Sequence, residues 1–122
     1  MATLLFFHAH PDDEAIATGG TMHMAAMAGH RVVLVVATRG ELGEGPHHEA
    51  DLAGVRSTET MAAAEILGVA RVEFLDYRDS GMAGEAGNED PRCFWQADVD
   101  EAAARLASII EAEAAELVVV YD

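Results

Sequence analysis

Four short segments rich in apolar and β-branched residues alternate along the chain with longer segments that are amphipathic or rich in alanine. Strands are therefore predicted over residues 3–8, 32–36, 72–75 and 117–121. Helices are predicted over residues 15–28, 55–67 and 98–115. Continuous apolar strands are typical of parallel sheets that are buried on both faces. The alternating order of strands and helices thus predicts an α/β fold with a parallel sheet, right-handed crossovers and helices on both faces.

Two features interrupt this regular pattern. Gly19 and Gly20 fall inside the first predicted helix, where each glycine costs about 1 kcal/mol, so either a helix begins there or another segment packs closely. Residues 39–54 and 76–95 lack helical or strand periodicity and are predicted to form long loops. Both loops leave the carboxyl ends of strands, which is the edge where open α/β sheets bind ligands. Loops of this length inside a small domain usually have a function.

The same edge carries a concentrated group of polar residues. His10-Pro11-Asp12-Asp13-Glu14 follows the first predicted strand directly. If Pro11 takes the first helical position, His10 and Asp13 lie three residues apart and point the same way. An imidazole nitrogen and a carboxylate oxygen suit Zn²⁺, with Fe²⁺ as the alternative. Asp12 would then be free to transfer protons, as carboxylates commonly do.

Other interpretations of this segment remain open at this point. Acidic residues are favoured in the first turn of a helix without any metal, although three consecutive carboxylates also repel one another. A magnesium or phosphotransfer enzyme could use Asp12 and Asp13, but magnesium seldom selects imidazole. A dinucleotide site is excluded, since it needs a Gly-x-Gly-x-x-Gly turn where this chain has carboxylates that would repel a pyrophosphate.

Composition narrows the class of partner. The chain has 122 residues, of which 51% are hydrophobic, so one small domain with a real core is expected. Its net charge is -15, with seven arginines and no lysine, which argues against nucleic acids and anionic membranes and favours a neutral, polar small molecule. No apolar run approaches the roughly 20 residues of a membrane span. The single cysteine, Cys93, is expected to be a packing residue and fits a reducing, cytoplasmic location. Whether the protein forms a homo-oligomer is left open.

Four separate motifs carry a resemblance to a known family. The segments are Ala9-His10-Pro11-Asp12-Asp13-Glu14, Thr18-Gly19-Gly20-Thr21, Thr38-Arg39-Gly40-Glu41-Leu42-Gly43 and Tyr77-Arg78-Asp79-Ser80-Gly81-Met82. The first three resemble the zinc-dependent N-acetylglucosaminylphosphatidylinositol de-N-acetylase family, also called LmbE-like. The fourth is similar to the actinobacterial branch that contains the mycothiol-pathway deacetylase and the mycothiol conjugate amidase. The resemblance implies a Rossmann-like three-layer sandwich with a mostly parallel sheet.

The resemblance also implies an activity and a set of site residues. The expected reaction is the hydrolysis of an N-acyl group, such as acetyl, from an N-acetylglucosaminyl substrate, with inositol-linked and simpler glucosaminides both left open. By position, His10 and Asp13 would be zinc ligands and Asp12 the general base. Arg56 would contact the substrate, and Asp79 would bind sugar hydroxyls.

Several of these positions have structural alternatives. Arg56 could instead form a surface ion pair with Glu59 or Glu49, and Asp79 could simply belong to a turn with Ser80 and Gly81. Glu41 is expected at most to support its loop. His8 is expected close to the site without being a ligand, and the pair His47-His48 could bind a metal adventitiously.

The sequence also departs from the family pattern. The family's third zinc ligand comes from a His-Pro-Asp-His segment just after a strand that ends in Tyr-Asp, and this sequence ends at Tyr121-Asp122. We therefore expect residues 1–122 to be the N-terminal part of a single, longer LmbE-like domain. Alone it should bind metal weakly and turn over little substrate. The alternative is a non-catalytic sugar-binding module of the same fold.

Overall fold

A computed structural model describes residues 1–43 and 49–121, and within them a single parallel sheet. Its strands are β1 (Thr3–His8), β2 (Arg31–Thr38), β3 (Arg71–Tyr77) and β4 (Leu117–Val119). Their order across the sheet is β3-β2-β1-β4, and every neighbouring pair is parallel. The helices are α1 (Asp13–Ala17), α2 (Gly19–Met27), α3 (Glu49–Leu67) and α4 (Val99–Glu113), with a short 3-10 helix at Ala86–Glu89. The predicted α/β fold is confirmed.

Side chains that alternate along the strands build a hydrophobic core on each face of the sheet. On one face, Leu5 and Val33 pack in a cluster with Ile109 of α4. On the other, Phe6 and Leu34 belong to a cluster that includes Met22 of α2, and Leu67 of α3 packs against it. Successive residues of a strand point to opposite faces, so β1 and β2 contribute to both clusters. Helices on both sides of the sheet give the expected three layers. Cys93 is fully buried, as expected of a packing residue.

The segment predicted as one helix over residues 15–28 is two helices. The break falls at Thr18, whose backbone φ and ψ of -131° and 3° are not helical. The second helix begins at Gly19, which is the first of the two possibilities that the glycine pair suggested.

The start of the first helix differs from the prediction. Pro11 does not take the first helical position, because Asp12 adopts a left-handed conformation with φ 81° and the helix begins at Asp13. Aspartate tolerates this conformation better than most residues, since its short polar side chain can bond locally. The polar segment is therefore a tight turn followed by a helix.

Other boundaries also move. The helix predicted over 55–67 begins at Glu49, so the preceding loop is shorter than predicted, and Gly54 lies within the helix. β3 extends by one residue before and two after the predicted 72–75, whereas β4 ends at Val119 rather than at residue 121. Among the described residues, no helix is both long enough and apolar enough to cross a membrane.

Candidate functional site

His10 and Asp13 lie side by side directly after β1. The Nδ1 atom of His10 is 3.2 Å from Oδ2 of Asp13, and the backbone N–H of His10 donates to the same oxygen at 3.2 Å. The left-handed turn at Asp12 allows the chain to fold back so that these groups meet. The structure thus brings the two predicted ligands together, and their role as metal ligands stays a prediction.

The other side of the His10 ring faces Asp79, from the segment after β3. Its Nε2 atom lies 3.4 Å from Oδ1 of Asp79, whose side chain is only 6% exposed. The hydrogen bond with Asp79 raises the pKa of His10, although burial opposes it, and the charge of Asp13 adds to the rise. Burial would raise the pKa of Asp79, but hydrogen bonds from His10 and from the backbone N–H groups of Gly81 and Leu42 outweigh it and lower that pKa.

Acidic side chains connect the loop after β3, which carries Asp79, to the loop after β2. Asp79 accepts backbone hydrogen bonds from Gly81 at 3.0 Å and from Leu42 at 3.2 Å, so it does form a turn with Gly81 while also facing His10. Its own backbone N–H donates to Oε2 of Glu41 at 2.7 Å. Glu41 therefore links the loop after β2 to the loop after β3, which is the supporting role expected for it.

Asp12 is paired with Arg56 of α3. The Nη2 atom of Arg56 is 3.0 Å from Oδ2 of Asp12, and its Nη1 atom donates to the carbonyl oxygen of Gly40 at 3.2 Å. The Asp12 side chain is 53% exposed, so it remains open to a ligand. The ion pair expected as an alternative for Arg56 is therefore made with Asp12 rather than with Glu59. The side chain of Glu49 lies outside the described residues.

These groups surround one open cavity of about 330 Å³. It is lined by all five residues that the sequence singled out, namely His10, Asp12, Asp13, Arg56 and Asp79. The lining also includes large apolar side chains from three different segments, Ile16, Leu42 and Met82. Concave sites of this size with a few convergent polar groups are typical of small-molecule binding.

Two titratable residues are buried beside this site. The Nε2 atom of His8 lies 3.0 Å from Oγ1 of Thr18, and burial lowers the pKa of His8. Burial raises the pKa of Glu14, and the charges of Asp12 and Asp13 add to that effect while backbone hydrogen bonds oppose it. Among the described residues, Nδ1 of His8 and Oε2 of Glu14 have no hydrogen-bond partner. His8 is close to the site, as expected.

Tyr121 is a site residue that sequence reasoning missed. Its hydroxyl group donates to Oδ2 of Asp13 at 2.8 Å and accepts the backbone N–H of Ala9 at 2.8 Å. Its ring centroid is 5.1 Å from that of His8. The position of β4 beside β1 would have indicated this contact, because parallel neighbours end at the same edge of the sheet.

The donor types of the His10 and Asp13 pair fit zinc, which takes imidazole nitrogen and carboxylate oxygen. Catalytic zinc sites usually have three protein ligands. Across residues 1–43 and 49–121, no group of three His, Cys, Asp or Glu side chains is arranged to hold a metal ion. As ligands, the two side chains would supply only part of such a coordination set. His47 and His48, the candidates for adventitious binding, lie outside the described residues.

Comparisons with known proteins give similarity to deacetylases along nearly the whole chain. A deacetylase from Acidothermus cellulolyticus, named for 1D-myo-inositol 2-acetamido-2-deoxy-alpha-D-glucopyranoside, is 48% identical over 133 residues. That match covers 98% of this chain and 46% of the relative, so the chain spans less than half of the relative's length.

Solved structures give the same fold with more than one chemistry. The N,N'-diacetylchitobiose deacetylase of Pyrococcus horikoshii is 27% identical, with a TM-score of 0.76 over 95% of this chain and 39% of its own. The 4-carboxy-2-hydroxymuconate hydratase of Pseudomonas putida is 29% identical, with a TM-score of 0.74 over 97% of this chain and 46% of its own. The family described as PIG-L, GlcNAc-PI de-N-acetylase, matches residues 5–122, and the chain therefore belongs to that family.

Proposed function

We propose that this protein is a zinc-dependent hydrolase that removes the N-acetyl group from an N-acetylglucosaminyl substrate. The observation that carries the proposal is the convergence of His10, Asp13 and Asp12 on one cavity in a chain of this family. The name of the Acidothermus cellulolyticus relative supports an inositol-linked glucosaminide as the substrate. The net charge of -15 is compatible with a neutral sugar.

The proposed metal site uses His10 and Asp13, together with a third ligand in the whole protein. When bound there, zinc would activate a water as a nucleophile near neutral pH and would itself polarise the amide carbonyl. Fe²⁺ is the alternative, since the same donor types accept it. The single cysteine is buried and free, which supports a reducing, cytoplasmic location as part of the proposal.

Asp12 is the proposed general base. Asp12 lines the cavity, and its carboxylate is held by the 3.0 Å ion pair with Arg56, which lines the same cavity. Asp12 would take a proton as the water adds to the amide carbon. The same proton would then pass to the amine nitrogen as the carbon–nitrogen bond breaks, which leaves a free amino sugar and acetic acid, and the acid then loses its own proton to become acetate.

Arg56 and Asp79 are the proposed substrate-binding residues. Arg56 lines the cavity while its Nη1 and Nη2 atoms bind Gly40 and Asp12, so a sugar oxygen would meet the edge of an already oriented guanidinium. Asp79 is nearly buried and accepts hydrogen bonds from its own loop. Its contribution to sugar binding would therefore include the shape of the loop that carries Met82 into the cavity.

A second candidate is a sugar-binding module without catalysis. It is favoured by the finding that the described residues bring together two metal donors rather than three. The hydratase of the same fold also shows that this architecture is not tied to deacetylation. The two candidates differ in whether amine is released from a bound N-acetylated sugar.

The test is to assay the whole protein for free amine released from N-acetylglucosaminyl-inositol, with metal content measured in parallel. Asp12→Asn suits this purpose, because asparagine tolerates the left-handed backbone at residue 12 and keeps an oxygen that can accept the hydrogen bond from Arg56, while the basic carboxylate is lost. We expect a rate about 10²–10⁴-fold lower with zinc retained. His10→Ala should lose both zinc and activity, whereas Glu59→Gln, an exposed acid on α3, should change neither.

Full activity in Asp12→Asn would overturn the role of the base. An active protein without zinc or iron would overturn the metal assignment. Sugar binding without amine release would favour the non-catalytic module, and dependence on magnesium would indicate the phosphotransfer alternative.

A further inference from the structure

We propose that Tyr121 is a positioning residue that orients the carboxylate of Asp13 for cation binding. The inference rests on the proposed metal site, and it adds a residue that lies 108 positions away from Asp13 in the sequence. It starts from the hydroxyl group, which sits between two polar atoms at 2.8 Å each.

The direction of both hydrogen bonds follows from their chemistry. The backbone N–H of Ala9 can only donate, so it occupies an acceptor position of the Tyr121 oxygen. The Tyr121 proton is then directed to Oδ2 of Asp13. This pair of bonds connects the Asp13 side chain to the backbone at the end of β1, a strand that is paired on both sides by β2 and β4.

The Tyr121 ring is held as well. β4 pairs with β1 in parallel register, with Val119 opposite Phe6, so the chain reaches the site edge two residues later. The ring centroid lies 5.1 Å from that of His8, which is buried at the end of β1. A ring with few rotatable bonds that is held in this way places its hydroxyl group at little entropic cost.

The consequence appears at Asp13. Three described contacts of its side chain fall on Oδ2: the Tyr121 hydroxyl group, the His10 backbone N–H and the Nδ1 atom of His10. These contacts restrict rotation of the carboxylate. Since a hydroxyl group is neutral, it orients Asp13 without cancelling its charge, unlike the guanidinium that neutralises Asp12. The negative charge at Asp13 stays available to a cation.

The experiment compares two tyrosines that each lose one hydroxyl group. In the whole protein, Tyr121→Phe keeps the ring beside His8 and removes only the oxygen. Tyr77→Phe is the matched control, because the Tyr77 hydroxyl group is buried and has no hydrogen-bond partner among the described residues. Affinity for Zn²⁺ is measured by competition with a chromophoric chelator, and the absorption spectrum of the Co²⁺-loaded protein reports ligand geometry.

We expect Tyr121→Phe to weaken zinc binding about 10–100-fold, as the loss of partners that orient metal ligands typically does. Its Co²⁺ spectrum should also shift, while both properties stay unchanged in Tyr77→Phe. Equal zinc affinities and spectra in the two variants would overturn the role of Tyr121 even though the protein binds zinc through His10. If His10→Ala and the unmodified protein bind zinc equally weakly, the proposed metal site itself fails, and the role of Tyr121 fails with it.

Discussion

The two ends of the parallel sheet both carry clustered charges, but the clusters are built differently. At the amino end, Glu113, the last residue of α4, is bound by the first residues of two neighbouring strands. Arg31 contacts it at 2.7 Å and Arg71 at 2.9 Å, and Arg71 also pairs with Glu73 at 3.0 Å. Hydrogen bonds from Arg31 and Arg71 lower the pKa of Glu113 to about 2. Each of these four side chains has a partner of opposite sign.

At the carboxyl end, acids outnumber the available cations. Asp12 has Arg56, but Asp13 and Asp79 share His10, and Glu14 is buried beside them. Repulsion among these carboxylates disfavours the fold, so their arrangement around an open cavity is not explained by stability. The ion network at the amino end joins two strands to a helix. The carboxyl end instead keeps unbalanced negative charge beside an open cavity, as the proposed cation site requires.

Removing one arginine from each end of the sheet should give the largest contrast, with a loss of activity at the carboxyl end and a loss of stability at the amino end. Arg56→Ala frees Asp12 to move, and a misplaced base costs about 100-fold in kcat/KM. Arg71→Ala should leave kcat/KM unchanged and lower the free energy of unfolding by about 1 kcal/mol. Deacetylation kinetics and denaturant unfolding of both variants check this, and similar kinetic losses in the two would erase the distinction between the ends.

Neutralising the acid at the amino end should weaken the fold. Glu113→Gln loses charge-assisted bonds to two arginines, and because the network lies near the surface we expect a loss of about 1 kcal/mol in the free energy of unfolding. The exposed neighbour Glu111 provides the control, since Glu111→Gln should leave stability unchanged.

The same carboxylate predicts a pH dependence with a definite sign. The folded pKa of about 2 is below the ordinary value of 4.5, so the unfolded chain binds more protons between these values. The stabilisation from Glu113 is therefore complete above about pH 4.5 and is lost as the pH falls through about 2. Unfolding curves measured across this window should fall less steeply for Glu113→Gln than for the unmodified chain, and parallel curves would contradict the prediction.

Neutralising the buried Glu14 at the carboxyl end should raise the free energy of unfolding, by less than Glu113→Gln lowers it. Glu14 is 2% exposed and burial raises its pKa, so its charge is unfavourable in the folded protein. In the presence of a chelator, Glu14→Gln should raise the free energy of unfolding by about 0.5 kcal/mol, since the amide costs less to bury than the carboxylate. A thermal melt beside that of Glu113→Gln checks the sign, and destabilisation would show that Glu14 is favourably partnered.

The sheet was predictable because its central strand is apolar at nearly every position. β2 is buried along almost all of its length, and a continuous run of that kind predicts a strand between two layers. The helix boundaries were less predictable, because they depend on single backbone conformations. The left-handed turn at Asp12 and the non-helical residue Thr18 leave no periodic signal apart from the Gly19-Gly20 pair.

The candidate site likewise contains some contacts that the sequence could predict and others that it could not. The proximity of His10 and Asp13 follows from their spacing of three residues. Arg56 and Asp79 were singled out by resemblance, but their actual partners, Asp12 and His10, depend on how the loops after β2 and β3 close. Tyr121 was missed because periodicity does not determine strand order, and only the placement of β4 beside β1 brings it to Asp13.

The close approach of Arg56 to Gly43 makes the loop after β2 part of the support for Asp12. A methyl group at Gly43 would collide with Nη1 of Arg56, although Gly43 does not have a positive φ. The guanidinium could yield only by withdrawing from Asp12 and the carbonyl of Gly40. Alanine at residue 43 should therefore loosen the hold of Arg56 on Asp12, so the empty space at Gly43 helps to keep that carboxylate in place.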